Sequence, residues 1–599
     1  MKGLYIFLGI LILTTNAIFS QNDTIKLKEV NVSTNRISLP FSKTSKTIKY
    51  ISRDEINNAT ATNLTDLLQQ VAGVDVRRRG VDGMQSDLYI RGGNFDQILI
   101  LIDGVKMDDV QTGHHSMNAM LPLDNIERIE IIKGPAARVF GQNAFTGAIN
   151  IITKKINQNA LKLNVNYGSY QNKKGLAAIS QKYENSDLYA SIGYQKSDGY
   201  RYNTDFENVN SFLKTSIKNY KLIASFAQRK FGANGFYASP AYIDQYEETQ
   251  TNLVAISSKY KTSTGVIKPR IYWKRNQDMY LFIRNNPSYY RNLHISNKMG
   301  AETNIVLNST LGKTGIGVDV SRTFLVSNNL GNHNRTVITG FLEQRFEMDK
   351  LDITPGIAVS YYSDFNTNAF PGLAVGYRIS DKVKVYGNIG YTYRVPTFTD
   401  MFYVGPTTQG NADLKPESAL SEEIGLNFTT QNFRFNLALF NRNSDNLIDW
   451  TKQNEVDKWQ TKNFSKVITQ GFETTINYHF KINNYNQILQ LGYNYINDDI
   501  KDVNVAFTRY SLNSLKHQFT TSLSTEFFKG IRQNIAFRYV ERTDETSYNV
   551  LDAKMLALLS TKFELSLNAN NIFNSIYTET NLVPMPKGNV MVGFKYRIY

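Results

Sequence analysis

Two short stretches of this 599-residue chain group side chains able to hold a ligand. The first, Lys106 to Met120 (KMDDVQTGHHSMNAM), sets Asp108, Asp109 and Gln111 ahead of the adjacent His114 and His115, with methionines beside them. Imidazole next to thioether suits copper or a metal chelate. The plainer reading is a polar loop, because neighbouring side chains on an extended chain point apart. The second stretch, GFYASPAYIDQYEET, offers Phe236, Tyr237, Tyr242 and Tyr246 as aromatic contacts. Its Asp244, Glu247 and Glu248 would suit calcium, which takes several carboxylate oxygens. A solvated acidic loop is the plainer reading there. The six histidines of the chain include none in a triad motif such as G-x-S-x-G. The glycines from Gly134 to Gly147 follow Lys133 but lack the G-x-x-x-x-G-K-[ST] order of a phosphate-binding loop. Neither an enzyme nor a covalent cofactor is expected.

The first of these stretches must be positioned by the elements around it. Asp124 to Lys155 reads as two short strands around a Gly-rich connection. Ile126, Ile129 and Ile131 alternate with charges, and Ala148, Ile149, Ile151 and Ile152 follow the glycines. Ile98 to Ile102 is five apolar residues closed by Asp103-Gly104, a strand covered on both faces. Ser52 with Glu55 makes a capping box. Asn63 or Thr62 caps a helix with Leu64, Leu67, Leu68 and Val71 on one face and Gly73 at its end. Residues from about 43 to 155 therefore form a compact α+β domain of ordinary size. Within it Arg77, Arg78 and Arg79 either pair with carboxylates or stay solvated; the pattern does not choose.

From residue 156 onward the period becomes two. Leu188 to Tyr194, Ile353 to Tyr361, Val383 to Tyr393, Phe433 to Leu439 and Phe563 to Ala569 all alternate, with short turns and longer polar stretches such as Val404 to Asp413 between them. About 440 residues at about twenty per strand and connection give roughly 22 antiparallel strands of membrane-crossing length. A barrel of that size needs something in its lumen, and the preceding domain is the available filler. A soluble propeller would show a repeat of fixed length, and none is visible. The aromatic content, Tyr 36 and Phe 34, suits girdles at two membrane interfaces. Val590, Val592, Phe594, Tyr596 and Ile598 give the last strand one apolar face.

Met1 to Ser20 reads as a secretory signal peptide, with a basic start and a short apolar run. Residues 21–42 follow as a separate N-terminal segment. The absence of cysteine excludes disulfides and thiolate metal sites. The net charge of +15 is scattered along the chain, so a basic surface is expected rather than a nucleic-acid site. In Lys28 to Arg36, Val30 and Val32 alternate with Asn31 and Ser33. By pattern alone this strand serves equally as an edge of the next domain or as a free strand for another protein's sheet.

These residues resemble a TonB-dependent outer-membrane receptor. Glu29, Val30, Asn31, Val32 and Ser33 look like the TonB box. LTDLLQQVAGVDV, IRGG, ILILIDGV and LDNIERIEIIKGPAARVFGQNAFTGAINIITK match the family's plug in order. RVPTFTDMF, NADLKPES, NANNIFNSIY and the final GFKYRIY are similar to its barrel signatures. Asn31 inside the box and Tyr599 in place of a final Phe are small departures. Length and the compact plug are most similar to the cobalamin-receptor branch. The resemblance implies a multi-pass barrel in the bacterial outer membrane, in contact with its lipids, and an energised uptake of cobalamin or a related corrinoid. The alternative cargo is a ferric siderophore, haem or a copper complex; a passive channel lies outside the class. The partner implied is the TonB energy-transducing complex, with no nucleic acid; the sequence leaves open whether a surface lipoprotein lid joins it. Gln85, Asp108, Asp109, Gln111, His114 and His115 on outward plug loops, and the four aromatics on the barrel loop, are the expected solute contacts. Arg91, Glu127 and Arg128 are expected to dock the plug against barrel carboxylates, since buried charges need partners.

Overall fold

The computed structural model describes residues 31–599 except 33–36, 38, 119–120, 238, 464–465, 502–504, 510–513 and 581. The signal segment, together with Glu29, Val30 and Ser33 of the box, lies outside the described residues. Asn31–Val32 forms a two-residue strand whose partner is close by, antiparallel to Leu39–Pro40.

The plug is a five-stranded sheet in the order Ile48–Ile51, Ile126–Lys133, Gly147–Thr153, Ile98–Ile102, Val105–Lys106. Only the pairing of Ile98–Ile102 with Gly147–Thr153 is parallel. All five residues of Ile98–Ile102 are buried, with Ile98, Ile100 and Ile102 in one core cluster and Leu99 and Leu101 in another with Val139 and Phe140. Gly147 is required by close approach, because a Cβ there would lie 2.5 Å from the Ile132 carbonyl oxygen. Ser52 and Glu55 cap Arg53–Asn58 reciprocally, and Asn63 caps the next helix. That helix stops at Leu68 rather than running on to Gly73. Gln69 turns its side-chain amide to the Val76 carbonyl and Glu579, and a hairpin strand begins at Val74.

The remaining chain closes a 22-strand antiparallel barrel. Tyr246–Ser258 and Tyr260–Lys261 are one strand with a break, since both pair with Gly265–Leu281. Ala160–Gly168 pairs with Asn589–Ile598 to seal the seam. Along both seam strands apolar side chains face outward (Leu161, Leu163, Val165; Val590, Val592, Phe594), while Lys162 and Asn164 face the plug. This is the apolar-out, polar-in alternation of a barrel in lipid. Turns such as 310–311, 483–484 and 529–530 close the periplasmic end. Over the outer end lies a helix, Phe398–Phe402, and a four-stranded sheet in the order Thr408–Gln409, Trp459–Asn463, Ile448–Lys452, Phe507–Thr508.

Candidate functional site

The plug residues expected to meet a solute are turned into protein partners. Both Asp108 oxygens accept from the Lys298 ammonium of the barrel wall at 2.7 Å. Asp109 accepts from Ser296 at 3.0 Å and lies 3.4 Å from Lys274. Burial alone would raise Asp108, but Lys298 and then Lys274 hold it down to about 2. The adjacent histidines diverge. His114 stacks on Phe95 at 4.0 Å and its Nδ1 meets Asp87 at 2.5 Å. His115 places Nε2 3.2 Å from Asp278 of the wall and Nδ1 2.9 Å from the Asn118 amide. Gln111 also reaches Asp278, and Gln85 accepts from Arg79. Among the described residues, no group of three or more histidines or carboxylates is placed to hold a metal ion.

His115 yields a pH dependence with a definite sign. Burial lowers its pKa, and Asp278 outweighs this and raises it to about 9. A group raised above its unfolded value of 6.5 stabilises fully below that value and loses its contribution as pH rises through 9. The span is worth at most about 3 kcal/mol. Urea titration of the detergent-solubilised protein from pH 6 to 10 should therefore show plug docking weakening with pH, and His115→Gln should flatten the slope.

The barrel-loop candidates also divide. Phe236 is fully buried with Met84, Phe206, Phe231 and Val583. Tyr237 bonds Glu247 through its hydroxyl and packs edge-on against Tyr280 at 5.5 Å. Tyr246 lies under the Arg284 guanidinium, and only Tyr242 is exposed, packed on Phe282. The calcium trio is not assembled. Glu247 and Glu248 are consecutive in Tyr246–Ser258, so they point to opposite faces of the wall. Glu247 goes inward to Tyr237, and Glu248 accepts from Gln228. Asp244 sits in the loop and accepts from Tyr202.

Plug and wall meet in two different ways. On one sector Leu176, Tyr189, Phe212, Ile223, Leu253 and Tyr272 of the wall join the plug's own core cluster. Ion pairs accompany that apolar patch, Asp103 with Lys221 and Asp108 with Lys298, and a denser ionic sector lies further round the barrel. Arg91 reaches Glu423 at 2.5 Å and Glu473 at 3.4 Å, with its guanidinium over the Phe440 ring. Lys133 also pairs with Glu473 and donates to the Ala72 carbonyl. Asp75 takes two bonds from Arg542, and Arg78 pairs with Glu579 and with Asp66 of the plug. Burial would raise Asp75, but Arg542 and then Arg77 hold it well below the carboxylate range. Of the three consecutive arginines, Arg77 pairs with Asp75 and Arg79 with Asp87 of the plug, and Arg78 reaches Glu579 of the barrel. Glu127 and Arg128 correct the expectation for them. Arg128 bonds Glu130, and Glu127 accepts from the Lys155 amide; both partners belong to the plug segment rather than the wall. A cavity of about 1280 Å³ opens on the periplasmic side of the ionic sector, lined by Phe41, Lys46, Glu55, Arg434 and His479 among others. Burial pushes the Lys46 ammonium down to about 7, with Arg138 adding to the effect.

A 22-strand barrel, apolar outside and polar inside, with a plug domain in its lumen held partly by ion pairs is the architecture of an outer-membrane transporter. The chain matches the family model "TonB dependent receptor-like, beta-barrel" over residues 143–572 and the "TonB-dependent Receptor Plug Domain" over residues 40–148. It belongs to the TonB-dependent receptors, a family of transporters rather than enzymes, resident in the outer membrane. It is 25% identical over 455 residues to the Vitamin B12 transporter BtuB of Vibrio vulnificus (strain CMCP6), covering 72% of this chain and 71% of that one. It is 21% identical over 615 residues to the Vitamin B12 transporter BtuB of Vibrio cholerae (strain O395), covering 96% of each. Among solved structures, the ferric-catecholate import receptor Fiu of E. coli K12 superposes with a TM-score of 0.77 at 17% identity, over 96% of this chain and 100% of that one. The siderophore receptor PirA of Acinetobacter baumannii gives 0.74 at 15%, over 92% and 98%.

Proposed function

We propose that this receptor imports cobalamin or a related corrinoid. The observation that carries the reading is the similarity to vitamin B12 transporters along almost the whole chain, plug and barrel together. The fold likeness to siderophore receptors speaks for the architecture and not for the cargo. In this reading the solute settles above the plug loops Gly80–Asp87 and Lys106–Met120, and Tyr242 supplies an exposed aromatic face. Because Asp108, Asp109 and His115 are already paired to the wall, a solute reaching them must displace those partners. Contact with the solute and loosening of the plug then become one event. The periplasmic TonB partner adds a strand at Glu29 to Ser33, with main-chain hydrogen bonds carrying the affinity.

Isothermal calorimetry with cyanocobalamin on the detergent-solubilised protein, beside a panel of ferric siderophores, tests the cargo. Binding of cyanocobalamin in the nanomolar range, about −12 kcal/mol, is the expected result, weakened at least tenfold by changes in Lys106 to Met117. Binding of a ferric complex with none of cyanocobalamin would replace the cargo and leave the class intact.

A further inference from the structure

At the outer end, one arginine joins three parts of the molecule. Arg394 ends a wall strand and grips Glu417 of the next strand with two bonds of 2.9 Å. Its remaining nitrogen lies 3.2 Å from Asp96 of the plug and 3.5 Å from Asp400 of the extracellular helix. All four groups are buried. Each carboxylate in turn fixes another segment. Asp96 accepts from the Gly113 amide of the plug apex at 2.7 Å. Asp400 caps the helix by accepting from the Thr397 amide at 3.0 Å. Glu417 accepts from the Gln97 amide of the plug and from the Ile448 N–H of the extracellular sheet.

Next to this hub the helix lies directly on the plug. The Phe398 and Thr399 amides donate to the Val110 and Gln111 carbonyls at 2.8 and 3.0 Å. Val110 sits in a core cluster with Phe398, Met401, Leu414 and Ile448. The apex loop is thus roofed by extracellular structure, held by these backbone bonds and apolar contacts, and the Arg394 guanidinium ties the carboxylates of plug, wall and helix together. An arginine is needed, because its planar fork can hold one carboxylate bidentately and still present a nitrogen to two others.

We propose that Arg394 is a positioning residue for transport, seating the extracellular helix Phe398–Phe402 on the plug apex through Asp96 and Asp400, so that the mouth and the plug open together. The proposal rests on the transport class and not on the choice of cargo. The hub also carries its own pH sensitivity. Facing Asp96 are Arg394 and Glu417 of the wall and Asp400 of the helix, while His114 stacks on the adjacent Phe95. Burial, helped by Asp400 and Glu417 against Arg394, lifts Asp96 to about 7. Below that pH two carboxylates share the guanidinium; above it a third negative charge joins them and the seat should loosen.

The lack of cysteine in this chain makes the test clean. Val110→Cys is placed under the roof and Val404→Cys on the exposed loop, each in the full-length protein in outer membranes. Labelling by a membrane-impermeant maleimide is timed, which needs no ligand, and barrel folding is followed by heat-modifiable migration. The cysteine at 110 should label slowly, and Arg394→Lys should speed it at least about tenfold, as expected when a fork becomes a point charge, with the cysteine at 404 unchanged. Asp400→Asn, which frees only the helix end, should act in the same direction and serves if Arg394→Lys fails to fold. In the Val110→Cys protein the labelling rate, divided at each pH by that of the Val404→Cys protein to remove the thiol's own titration, should rise from pH 6 to pH 8, and adding Asp96→Asn should remove that rise. Unchanged labelling at 110 in both hub variants, or a pH profile that Asp96→Asn leaves intact, would overturn the proposal.

Discussion

Replacing Glu473 by alanine should unseat the plug on its ionic side. Two buried cations, Arg91 and Lys133, depend on this one wall carboxylate. Taking one partner from a buried charge pair costs about 3–5 kcal/mol, mostly because the charge left behind is neither solvated nor paired. Here two charges are left, although Glu423 still holds Arg91. Lys133 is the more exposed to the loss, since among the described residues its ammonium's other hydrogen bond is to the Ala72 carbonyl oxygen. In planar bilayers the wild-type protein should conduct only at high urea, and Glu473→Ala should conduct at a clearly lower concentration. Glu473→Gln should lie between them, keeping shape and hydrogen bonds without the charge. Adding Lys133→Met to Glu473→Ala should restore part of the loss, because an apolar side chain of similar length removes the orphaned ammonium. A Glu473→Ala protein as tightly plugged as wild type would show that the remaining plug–wall contacts hold the plug without this carboxylate.

The second large effect belongs to the box. Val32→Pro should abolish energised uptake while leaving the solute's equilibrium binding on the outside unchanged. Proline removes a backbone donor and fixes φ, which a ladder strand cannot accommodate. The lost ladder bond costs about 1 kcal/mol, about fivefold in affinity, and the fixed φ and missing donor disrupt the strand beyond that. Val32 is buried and its strand pairs on one edge with Leu39–Pro40, so an added strand must take the other edge or displace that pair. Uptake assays in cells, with binding measured on the same outer membranes, separate the two outcomes. Equal losses of uptake and binding would point to misfolding instead.

Much of the architecture was legible because it depends on local period. The switch to alternating residues after about 156 marks the barrel, and the five apolar residues of Ile98–Ile102 mark a strand covered on both faces. The site was harder, because it is made between residues far apart in sequence. Asp108 and Asp109 read as ligand groups until the fold sets Lys298 and Lys274 against them, 190 and 165 residues away. Alternation says which wall residues face inward but not which inward residue stands opposite a given plug residue. That is why Lys133 and Asp75 went unnoticed as docking groups, and why Arg78 could not be told from Arg77 and Arg79. For Glu247 and Glu248 the period itself forbids a shared ion once the strand is recognised to begin at Tyr246.

Strand addition at the N-terminal segment couples the receptor to its energy source, and one measurement addresses it directly. A single cysteine replacing Val32, in a chain that has none, can be crosslinked to a cysteine in the periplasmic domain of TonB, with and without saturating cyanocobalamin or the ferric complex that calorimetry selects. The expected result is crosslinking that rises when the solute is bound, as the strand leaves Leu39–Pro40 for the partner. Crosslinking that is absent in both states, while uptake of the solute continues, would contradict it.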